Sequence, residues 1–122
     1  MKNRLATVAA TAILVIFARR VTAATWTIPG TVDAGGLNGT RFVSDLAITN
    51  PGAAPVLATL ALVPANGTSP APMSLGPGQT VVTRGLLRQL WGTSGAGATV
   101  VTASSPLLIR ARTYNDAASG TY

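Results

Sequence analysis

Ser94 lies in the run GTSGAG, flanked by glycine in the manner of a serine nucleophile. Nothing in the chain can activate it, because there is no histidine, and no cysteine offers an alternative nucleophile. The same two absences remove the usual ligands of a zinc site. Glutamate is missing as well. The carboxylates are Asp33, Asp45 and Asp116, far apart in sequence, so acid–base work would need two of them to converge in space. We therefore read the chain as not an enzyme and as carrying no cofactor. Asp33, Asn38, Asp45, Asn50 and Asp116 are hard oxygen donors of the kind calcium takes. No Asp-x-Asp run joins them, and Asn and Asp are also ordinary turn residues. Asn38 and Asn66 each begin an NGT that matches the N-glycosylation acceptor pattern. We read both as Asn-Gly turns.

Recognition chemistry is the remaining class. Stacking on sugar rings requires exposed aromatic faces, and beyond the N-terminal segment the chain offers Trp26, Trp91, Tyr114 and Tyr122. Both tryptophans fall in segments expected to pack inward. Tyr114 is expected outside, near Arg112 and Asn115. The candidate ligand face is thus Tyr114, Arg110, Arg112 and Asp45. These charges have a plainer role too, since charge on an exposed strand face blocks unwanted edge pairing. Asp45 is expected to pair with Arg110 or Arg112 in solvent, which would stabilise by about 0–1 kcal/mol.

Net charge is +6 over 122 residues, but its distribution argues against a nucleic-acid partner. Lys2, Arg4, Arg19 and Arg20 precede the body of the chain. The body itself holds Arg41, Arg84, Arg88, Arg110 and Arg112 against the three aspartates. A nucleic-acid binder would concentrate its basic residues on the folded part. The start has another explanation. After the basic MKNR, Leu5 to Ala18 is an apolar run of 14 residues. As a helix it would reach about 21 Å, short of the roughly 30 Å hydrocarbon core. VTAAT then offers small residues for cleavage after Ala23 or Ala24. Residues 1–24 are expected to be a secretory signal peptide, which makes the protein secreted or cell-surface. Arg19 and Arg20 are unusual after an apolar run. They keep open a second reading, slow cleavage or retention as a short anchor, and this is the only membrane attachment expected. Residues 25–122 form one domain, stabilised by packing alone since no disulfide can form.

Short strands between turn signals give the pattern of an all-β sandwich. TWTIP is a first strand ended by Pro29-Gly30, and TVDAGGLNGT a loop. RFVSDLAIT, Arg41 to Thr49, alternates, with Phe42, Ser44, Leu46 and Ile48 assigned to the core and Val43, Asp45, Ala47 and Thr49 to solvent. NPGA is expected to form a type II turn. Val56 to Val63 is apolar on both faces and reads as a central strand. ANGTSPAP is a proline-rich loop. MSLGPGQTVVTRG gives two short strands about a second type II turn at Gly76–Gln79. GLLRQLWG is the one helical candidate. It places Leu86, Leu87, Leu90 and Trp91 on one side and Gly92 at the cap, and is expected to plug an open end. A closing hairpin pairs Ala98–Ala103 with Leu107–Tyr114, with Leu107, Ile109, Ala111 and Thr113 inward.

Taken together, RFVSDLAITNPG, GAGATVVTASSPLLIRARTYN and ASGTY resemble a secreted bacterial Ig-like β-sandwich module of large exported proteins. The resemblance covers Trp26 to Tyr122. It implies an all-β, Ig-like antiparallel β-sandwich with one short helical plug near residues 85–92. The role it implies is that of a spacer, surface or adhesion module, with other modules or copies of itself as partners. It carries over no catalytic or ligand residue. In similar modules SGTY runs on into another IP strand, so residues 25–122 are expected to lack a last strand. A neighbouring copy's TWTIP could fill the gap that this would leave. The competing expectation, from the aromatics, is a carbohydrate-binding module of a secreted enzyme, with glycans as partners.

Overall fold

The computed structural model describes residues 23–116. The expected export segment lies outside this range but for its last two residues, and so do SGTY and Tyr122. Seven strands, one short 3-10 turn and one helix form among the described residues. They are β1 (Ala24–Gly35), the turn Leu37–Gly39, β2 (Arg41–Thr49), β3 (Val56–Val63) and β4 (Ala71–Leu75). After these come β5 (Thr80–Thr83), α1 (Leu86–Trp91), β6 (Gly95–Ala103) and β7 (Leu108–Asn115). The protein is all-β. One antiparallel sheet runs β4-β3-β6-β1-β2-β5, and β7 pairs with β2 off that path.

The sheet is curled, and its connectivity shows how. β4 and β5 stand at opposite ends of the path, yet only Gly76–Gln79 separate them in sequence. The curl therefore brings the two ends together. Gly78 adopts φ 69° and Gln79 N–H donates to Gly76 O at 3.1 Å, as the expected type II turn requires. Inside the curl, Leu46 and Ile48 of β2 join Val56, Ala58 and Leu60 of β3 and Leu75 of β4. Leu86 of α1, Val101 and Ala103 of β6, and Leu107 complete this single core. Alternation selects these residues on β3, where Leu57 and Val63 face out, so only one of its two apolar faces is buried. α1 packs Leu86 and Leu87 inward against β1 and β2. Gly92, at φ 61°, caps it and donates to Arg88 O.

Four expectations need correction. Pro29-Gly30 does not end the first strand. The β1–β6 register shifts between Ile28 and Thr31, and the strand then resumes to Gly35 as β1 turns from β6 towards β2. The interruption is bonded from below. Ser44 Oγ accepts from Val32 N–H at 2.9 Å and meets Thr113 Oγ1 at 2.7 Å, while Thr31 and Thr99 join their hydroxyls at 2.8 Å. Second, the last two strands are not a hairpin. β6 lies between β3 and β1, whereas β7 crosses to the far edge of β2. Leu107, just before β7, and Ile109 on it reach the core, but Ala111 and Thr113 are exposed. Third, NPGA is not a type II turn, since Gly52 is not among the glycines with positive φ. Asn50 Oδ1 instead accepts from Gly52 N–H at 3.0 Å. Fourth, β2 does not bury one face only. Val43, Ser44, Asp45 and Leu46 are all buried, whereas Phe42 is 41% exposed against Gly36. The β1 crossing covers one side of this half of β2, and Gly85 at the start of α1 covers the other.

Candidate functional site

Strand register assembles the candidate face. β2 and β7 pair Val43 with Tyr114, Asp45 with Arg112 and Ala47 with Arg110. Side chains opposite each other share a face, so all four candidate residues lie together on the outer side of this pair. Arg112 Nε and Nη2 reach Asp45 Oδ2 at 3.1 and 3.0 Å. Asp45 Oδ1 accepts from Gly85 N–H at 2.9 Å and from Tyr114 O–H at 3.4 Å. The Arg112 guanidinium also sits 4.8 Å from the centre of the Tyr114 ring. Asp45 is left 5% exposed, so this is a covered carboxylate and not the solvent pair expected from alternation. Burial raises the Tyr114 pKa above its ordinary value. The charges of Asp45 and Asp116 and the hydrogen bond to Asp45 add to the rise, and Arg112 opposes it.

β5 widens the face. Ala47 pairs with Val82, and continuing that register sets Arg84 beside Asp45. Ala47 is the small central residue between longer neighbours. Around it opens a groove of about 300 Å³, lined by Asp45, Ala47, Val82, Arg84, Arg110 and Arg112, with the paired Leu46 and Ala111 completing the floor. Arg84 and Arg110 form no ion pair with any described residue. Three arginines thus line a groove beside one carboxylate that is already bonded. The chemistry available is fork-like hydrogen bonding to an oxyanion. Arg84 is absent from the face expected from the sequence. Its signal is parity, because Thr80, Val82 and Arg84 alternate onto one side of β5.

A second charged cluster has no counterpart among the sequence expectations. Asp33, expected in a loop, is 2% exposed on β1. Arg41 Nη2 bonds both its oxygens, at 2.8 and 3.0 Å, and Arg88 Nε of α1 reaches Oδ2 at 2.9 Å. This triad ties β1, the start of β2 and the helix together.

The other candidates are dispersed. Trp26 and Trp91 both pack against the core, and Trp91 Nε1–H donates to Ser69 O at 2.9 Å. Tyr114 stands apart from them beside Asp45. Asn38 and Asn66 adopt positive φ, as do Gly39 and Gly67 after them, which is turn geometry. Asn50 is buried, and its Nδ2 donates to Ala54 O at 2.7 Å and to Leu75 O and Gly76 O at 3.2 Å. No three of His, Cys, Asp or Glu gather among the described residues. Comparison with protein-family models, with curated proteins and with solved structures returns no match.

Proposed function

We propose that the chain is an exported, non-catalytic Ig-like β-sandwich module, structural or adhesive, that associates with further copies of itself in a larger extracellular assembly. The observation that carries this reading is the outer edge of β7. Eight residues of β7 pair with β2, and no described strand pairs with the other side. An unpaired edge is a template for another strand. Two other edges are poorer templates. β4 has five residues and includes Pro72, which cannot donate, and β5 has four residues. The sandwich reading draws support from the curl, which sets β4-β3-β6 against β5-β2-β7 over a single core. The basic start and the apolar run support export. The fully bonded carboxylates of Asp33 and Asp45 support a role without catalysis. The tryptophans, packed against the core, favour a structural module over a glycan platform.

TWTIP pairs with β6 along one edge, and no described strand pairs the other edge of residues 24–28, so TWTIP of a neighbouring copy could still meet β7 through that free edge. The test is the molar mass of the secreted protein by light scattering, measured as concentration rises. Concentration-dependent oligomers are expected. A single-chain mass throughout the accessible range would defeat the assembly reading.

A further inference from the structure

The arginine-rimmed groove on β5-β2-β7 is separate from the β7 edge, and binding there does not depend on assembly. We propose that this groove binds a small organic oxyanion, a carboxylate or sulfate ester carried on a compact body with an apolar face. Three observations converge. First, the charge is uncompensated. Arg112 is bonded to Asp45, but Arg84 and Arg110 have no carboxylate among the described residues, although both line the same hollow. Like charges brought to one place repel unless an anion lies between them. Second, Asp45 does not oppose the ligand as a free carboxylate would. One oxygen is held by Arg112, and the other accepts from Gly85 and Tyr114. Third, the floor is apolar. Ala47 and Val82 face the hollow, and Val82 is left 56% exposed, so a non-polar surface waits below the charged rim. A volume near 300 Å³ stands at the small end of ligand sites, suited to one ring and not to a polymer segment. An anionic monosaccharide has that form, with C–H groups on one face and the acid at one corner.

Carboxylate and sulfate present the same fork to a guanidinium, so the experiment carries both. Amide chemical shifts would be monitored by NMR during titration of the full secreted chain with glucuronate, inorganic sulfate and glucose. Saturable shifts at Ala47, Val82 and Ala111 with glucuronate are expected, and glucose should bind at least tenfold more weakly. Sulfate saturating the same amides would also support the site and show that the oxyanion alone suffices. The variant Arg84→Ala/Arg110→Ala should bind glucuronate at least tenfold more weakly with its thermal midpoint unchanged, because neither side chain is buried. Linear glucuronate shifts, equal binding of glucose, or wild-type affinity in the double variant would each overturn the proposal.

Discussion

Asp33 and Asp45 are two buried carboxylates with different legibility. Parity puts Asp45, Arg110 and Arg112 on outward faces and leaves either arginine as the partner of Asp45; the β2–β7 register selects Arg112. Asp33 is hidden, because its segment inverts the usual rule. Thr31 and Asp33 are buried while Val32 between them is only half-buried. An apolar-in reading cannot find such a strand. The energetic weight of Asp33 is testable. Replacing it with alanine removes the partner of Arg41 and Arg88 at once. Asp33→Ala should destabilise by about 2–3 kcal/mol in urea unfolding. Arg88→Ala, at a mostly exposed side chain that leaves Arg41 in place, should cost under about 1 kcal/mol. Equal effects of the two would show that the triad is not organised around Asp33.

Elements are legible where pattern and chemistry agree. β2 and β3 have the boundaries that alternation and the flanking turns define, and α1 forms where helical spacing meets Gly92. Pairing is less legible than existence. β6 and β7 read as a hairpin because a short turn separates them, but the core needs β6 in the middle of the sheet. Gly97 shows how tight that middle is. A Cβ there would lie 2.7 Å from Val63 O, a backbone atom of β3 that cannot swing away. Gly97→Ala should therefore part β3 from β6 and cost about 1–3 kcal/mol. Gly30→Ala, where nothing lies within 4 Å and φ is not positive, should change stability by less than about 1 kcal/mol. Thermal unfolding of the pair checks this directly. A neutral Gly97→Ala would mean that the strands are less closely apposed than the geometry indicates.

For the whole molecule, the contrast between β6 and β7 is the feature to measure. β6 is flanked by β3 and β1, whereas β7 has one neighbour among the described strands. Hydrogen exchange should be slow along residues 99–103, where both sides are paired. On β7 it should alternate, with every second amide exchanging fast because it points away from β2. Uniform protection of β7 at low concentration would contradict the open edge. In the proposed assembly the fast set should slow as oligomers form. Charge also constrains that assembly. A two-fold pairing of β7 with β7 would set Arg110 and Arg112 against their own kind, which is unfavourable across a strand pair. Unlike edges are then expected to meet, and such contacts propagate head to tail.

The run of the strands has a mechanical consequence. β1 and β7 are each antiparallel to β2, so they point the same way. β1 begins beside Ala103, at the end away from β2, while β7 finishes beside Phe42, near the end where β1 arrives. Tension drawn between residues 24 and 115 therefore pulls along the strands. The rungs of the β1–β6 and β2–β7 ladders are loaded together in shear and do not open one after another. A string of such units would resist stretching far better than it resists peeling.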